Sequence, residues 1–189
     1  MDGIGKASLM KNKFNVGLVI AFFIAIMSAG ASASTKTVAP DWVVQNKTAT
    51  PGAINKNVTQ SNIATTVCKS GWTATIRPTT TYTNKLKDTQ LATTYSSYVA
   101  IWGLKTSAYE EDHLISLQLG GDPSDPKNLW PEPYAGNGAR KKDVTETALK
   151  RLVCAGTIKL ADAQKAILDW PTAYKKYVTS ADKPDTSDN

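Results

Sequence analysis

A chain of 189 residues, 41% hydrophobic and 20% charged, suits one packed domain with ends to spare and excludes a fibrous or wholly disordered protein. The formal net charge is +6; three lysines and one aspartate fall in the first 33 residues, which leaves +4 on the rest. That mild excess permits a phosphate-backbone partner without requiring one.

Residues 1–33 read as an export signal. Lys6, Lys11 and Lys13 precede the apolar run 14–27 (FNVGLVIAFFIAIM), and Ala31-Ser32-Ala33 is a small-residue cleavage pattern. Met10 offers a second start, because MKNKFN opens a more typical signal than MDGIGK. The apolar run is short for a membrane span. The expectation is cleavage after Ala33, a secreted or periplasmic protein and no stable membrane insertion. Export to an oxidising compartment favours a disulfide between Cys68 and Cys154 over two buried thiols. Two cysteines this far apart argue against a structural zinc site, which wants four clustered ligands.

In chain order, residues 34–56 are polar and aperiodic, with Pro40 and Pro51, and read as a flexible linker. The domain proper is expected over 57–178. Alternation through Trp72, Ala74 and Ile76 predicts a short strand ended by Pro78. Residues 81–95 predict a helix capped by Thr81 or Thr83, with Leu86 and Leu91 inward. Residues 95–104 are aromatic and β-prone, which predicts a further strand or an irregular segment. Residues 109–119 are strand-like around His113, and Gly120-Gly121 predicts the tip of a hairpin or a bulged turn. Residues 139–154 predict a helix ended by Gly156. Thr145, Ala148, Leu149, Leu152 and Val153 form one of its faces, and Lys142, Asp143, Glu146 and Lys150 the other. A last helix is expected over 160–170, followed by Pro171, with a frayed tail over 179–189. The fold class is α+β.

The chemistry concentrates between Tyr109 and Lys142. His113 is the only histidine, and Glu110, Glu111 and Asp112 directly precede it. Hydrolysing a phosphodiester requires an activated water, neutralisation of charge on the phosphate oxygens and help for the leaving oxygen. An imidazole with a pKa near 6.5 is the natural base for such a water at neutral pH. Each residue also has a plain structural reading. A lone histidine in a strand is ordinarily structural, Asn128 can close a turn, and Asp143 and Glu146 can pair with Lys142 and Lys150 on an exposed helix face. Trp130 and Tyr134 read as packing residues.

The segment Asp112-His113 followed by Leu-Ile-Ser-Leu-Gln-Leu-Gly120-Gly121, and then Asn128-Leu129-Trp130-Pro131, resembles the motif of the ββα-metal, or HNH, nucleases. More narrowly it resembles exported bacterial HNH-like proteins. Cys68-Lys-Ser-Gly71-Trp72-Thr73, Lys142-Asp143 and Val153-Cys154-Ala155-Gly156 fit further positions of that pattern, over roughly residues 67–170. The resemblance implies a small ββα-metal core with a β-hairpin and helix, plus flanking helices. It implies that His113 is the general base, that Asn128 orients the histidine or its loop, and that Asp112 is a metal ligand. It implies a divalent ion, Mg²⁺ or Mn²⁺ before Zn²⁺ or Ni²⁺, and an exported endonuclease acting on DNA or RNA; a monomer is expected. The chain departs from the family at its last ligand position, where no second histidine exists; Asn137, Asp143 and Glu146 are the candidate substitutes. Ser116 stands where the family carries proline. A non-catalytic scaffold that binds nucleic acid or the cell envelope is the alternative.

Overall fold

The computed structural model describes residues 39–103 and 105–183. The expected signal at 1–33 lies outside them, as do residues 184–189. The architecture is mixed α+β, and among the described residues no helix is long and apolar enough to cross a membrane. Helices α1 (Trp72–Ile76), α2 (Thr80–Ala92) and α3 (Ser96–Trp102) precede strand β1 (Tyr109–His113). Strand β2 (Leu129–Pro133) and helices α4 (Ala139–Cys154), α5 (Leu160–Ile167) and α6 (Trp170–Tyr177) follow.

β1 and β2 pair antiparallel, with Glu110 opposite Glu132, Asp112 opposite Trp130 and His113 opposite Leu129. They are not joined by a tight hairpin at Gly120-Gly121, as the sequence suggested. β1 ends at His113, and a long loop with two short 3-10 turns, Leu117–Leu119 and Pro126–Asn128, leads to β2. The two glycines serve that loop. Gly120 takes a left-handed φ of 73° to close the first turn. A Cβ on Gly121 would lie 1.7 Å from the Ile115 carbonyl oxygen, so only glycine lets the backbone pass there.

Two predicted strands are helices. Among the described residues Trp72–Ile76 has no neighbouring strand to satisfy its backbone, whereas a helical turn satisfies it internally. Gly71, at φ 75°, starts the turn, and the Thr75 hydroxyl donates back to the Trp72 carbonyl at 2.6 Å. Arg77 is then extended before Pro78, as a pre-proline residue prefers. Residues 96–102, also read as strand or irregular, wind into α3, which sets Tyr98 edge-on against Tyr95 and Trp130. α2 is capped by Thr79 and not by Thr81 or Thr83: the Thr79 hydroxyl accepts from the Tyr82 amide. The expected 160–170 helix is two helices. Pro171, expected to follow the helix, sits in the first turn of α6, where its missing N–H is not needed.

Two clusters form the core. Val58, Val67, Ile115, Leu119, Leu149, Val153, Leu160, Ala163, Ile167 and Trp170 pack α4, α5 and α6 against the loop. Val43, Tyr95, Leu114 and Trp130 pack the sheet against α3 and the N-terminal segment. That segment is no free linker over its described part. Val43 and Thr50 are buried, the Thr50 and Tyr95 hydroxyls lie 2.6 Å apart, and Trp42 packs edge-on against Trp170. The tail is likewise pinned through Asp182, which accepts from Arg151 Nε at 2.9 Å and Nη2 at 3.0 Å. Cys68 and Cys154 are bonded, with Cα atoms 5.6 Å apart, and tie the segment before α1 to the end of α4.

Candidate functional site

Adjacent strand residues point to opposite faces, and this separates the two residues expected to share one centre. Asp112 reaches α4, while His113 reaches the long loop. His113 is only 5% exposed, with Nε2 3.0 Å from the Pro123 carbonyl oxygen. A carbonyl only accepts, so Nε2 carries the proton and Nδ1 is left as the basic nitrogen. Burial pushes the imidazole pKa below its ordinary value, against the opposing pull of Asp112 and the Pro123 carbonyl. The ring is therefore neutral at physiological pH.

Asn128 positions the loop that holds this ring. It is fully buried and uses its whole amide. Oδ1 accepts from the Ile115 amide at 2.9 Å, and Nδ2 donates to the carbonyls of Ile115 at 3.0 Å and Asp122 at 2.9 Å. The carbonyl facing His113 belongs to the next residue, Pro123. Asp122 tightens the same turn by accepting from the amides of Ser124 and Asp125, and the Tyr82 hydroxyl of α2 donates to the Ser124 carbonyl at 2.6 Å.

The other face of β1 meets a buried cluster built on Lys142. Its ammonium donates to Asp112 Oδ2 at 2.6 Å, the His113 carbonyl at 2.8 Å and Glu146 Oε1 at 2.5 Å. Ser116 donates to the other Glu146 oxygen at 2.7 Å. Burial alone would discharge the lysine, but Asp112, Glu146 and Glu132 outweigh it and hold the pKa above the ordinary lysine value. Lys142 and Glu146 were expected on an exposed face and are instead 1% and 5% exposed. They share the inward stripe of α4 with Ala139, Thr145, Leu149 and Val153. That 3- and 4-residue spacing was the available signal, overridden because charged residues are rarely fully buried.

Glu132 of β2 was not singled out from the sequence. It is fully buried beside this cluster, its carboxyl set against that of Asp112, and no N–H of the described residues donates to its oxygens. Burial first, and the Asp112 charge second, push its pKa well above the ordinary carboxylate value, against the pull of Lys142. Glu111 behaves alike: burial and Asp112 push it up to about 9 against the pull of Lys87.

The remaining expected ligands are committed elsewhere. Asn137 donates its amide to the Asp41 carbonyl at 2.7 Å and ties down the N-terminal segment. Asp143 is half exposed and lies 3.8 Å from Arg140. The divalent ion that the HNH resemblance implies therefore does not fit the residues present. Asp112 and Glu146 surround an ammonium, and among the described residues no group of three or more His, Cys, Asp or Glu side chains could hold a metal. One exposed cation bears on the histidine from another segment. Arg77, also missed in the sequence, is exposed, and its charge bears on both His113 and Asp143. Arg140 stacks over the exposed Tyr134 ring, 5.3 Å from its centroid. Compared with models of known protein families, with curated proteins and with solved structures, the chain matches none.

Proposed function

We propose that this is an exported HNH-like protein directed at the phosphodiester backbone of DNA or RNA, with His113 as the general base. The observation that carries the reading is the clamp on His113: a neutral imidazole whose Nε2 proton is held by the Pro123 carbonyl, leaving Nδ1 as proton acceptor. The order of a strand bearing Asp-His, a loop closed by asparagine, a second strand and a helix agrees with the resemblance. In this reading Nδ1 takes the proton from the attacking oxygen, and Asn128 keeps the ring's loop in place. Arg77, whose charge bears on His113, supplies positive charge for the phosphate oxygens. No step is assigned to a bound metal.

The test is cleavage of plasmid DNA and of single-stranded RNA by the purified protein, with EDTA and with Mg²⁺ or Mn²⁺, beside His113→Ala. Cleavage that the H113A variant loses is expected. Intact nucleic acid under every condition would sink the assignment of a base.

A second reading has one specific observation in its favour. The Lys142 ammonium stands between the carboxylates that would complete a catalytic metal site, which suits a non-catalytic scaffold that binds nucleic acid or the cell envelope. Binding with a steep salt dependence and no cleavage would select it.

A further inference from the structure

Three oxygen acceptors from two segments converge on one point: Asp112 Oδ2 and the His113 carbonyl from β1, and Glu146 Oε1 from α4. Two carboxylates and a carbonyl are the donor chemistry of a hard divalent cation. The point is filled by the ammonium of Lys142 at 2.5–2.8 Å, close to the 2.3–2.6 Å range of calcium–oxygen bonds. Lysine has three N–H donors, and three acceptors take them. The lysine side chain is 1% exposed, and Ser116 holds the far oxygen of Glu146 in place against it.

We infer that Lys142 is a built-in cation standing in for a metal ion at the junction of β1 and α4, and that the surrounding oxygens become a divalent-cation site once the ammonium is removed. An ammonium in this cage brings one positive charge to two carboxylates, and a divalent ion would neutralise both. Truncation to alanine frees the volume of the lysine stem, through which water and an ion can enter. The inference does not rest on His113 being a base, because it concerns the opposite face of β1.

The test uses the whole protein, with Mn²⁺ and Ca²⁺ alone as probes. Isothermal titration and paramagnetic broadening of backbone amides by Mn²⁺ are measured on the wild type and on K142A. Wild-type protein is expected to show the same thermal midpoint in EDTA and in Mn²⁺, with no broadening centred on Asp112 and Glu146. K142A is expected to bind Mn²⁺ at least about tenfold more tightly than the wild type, on the scale that single well-placed groups contribute to metal affinity, with broadening centred on those residues. Broadening centred there in the wild type would overturn the inference, and so would a folded K142A with no gain in affinity. If K142A does not fold, the wild-type measurement still decides between an ammonium-filled and a metal-binding junction.

Discussion

His113 Nε2 lies 3.0 Å from the carbonyl oxygen of Pro123, and the residue before that proline is held through its own carbonyl by Asn128. One buried amide thus sets the loop, the loop sets the carbonyl, and the carbonyl sets which nitrogen of the imidazole is basic. The opposite face of the same strand carries a lysine enclosed by carboxylates. The two devices lie on opposite faces of one strand and make separate predictions.

Asn128→Ala removes the buried amide that bridges Ile115 and Asp122, and leaves their backbone groups without partners. A loss of about 2–3 kcal/mol is expected. Denaturant unfolding measures it, and hydrogen exchange at the Ile115 amide should accelerate. Unchanged exchange there would mean that the loop is held by other contacts.

Lys142→Met keeps length and removes charge. It leaves Asp112 and Glu146 without their buried counter-ion, so a loss of about 3–5 kcal/mol is expected. Adding Glu146→Gln should recover part of it, since the residues share one network. Denaturation curves of the single and double variants check both statements. A strictly additive double variant would contradict the shared network.

Glu111 sets a pH dependence. Its folded pKa, about 9, exceeds the ordinary 4.5 because burial and Asp112 disfavour its charge. A raised folded pKa means that the stabilising contribution is complete below about 4.5 and is lost as pH rises through about 9. Stability of the wild type should therefore fall across that window. Glu111→Gln should be flatter and more stable at the alkaline end, as thermal unfolding from pH 5 to 9 would measure.

The disulfide closes a loop of 86 residues in sequence separation. In the chain-entropy model, the C68S/C154S double variant should lose about 4 kcal/mol. Urea unfolding of that variant beside the oxidised protein gives the difference directly.

Some of this was legible in the residues. The α4 boundaries follow from its apolar periodicity and the glycine beyond it, and the cysteine pairing followed from the expected export. His113 and Asn128 stood out through the resemblance. The misses have physical causes. Trp72–Ile76 and Ser96–Trp102 are rich in aromatic and β-branched residues, so local preference pointed to strand; without partner strands their backbones close on themselves as helices. The segment from Ala39 looked like a linker because its anchors, Trp42, Val43 and Thr50, are spaced for contacts with distant segments rather than for a regular period. The buried lysine was hidden by the ordinary rule that charge faces water. Asp112 and His113, neighbours in sequence, were expected at one centre, and strand alternation sends them to opposite faces.

The central claim is that His113 is a neutral base with its proton on Nε2. Because the chain has a single histidine, ¹⁵N-histidine labelling reports one imidazole alone. A pH titration followed by NMR should show the Nε2–H tautomer at neutral pH and a pKa below the ordinary 6.5. A ring protonated on Nδ1, or one that titrates at or above 6.5, would contradict the account.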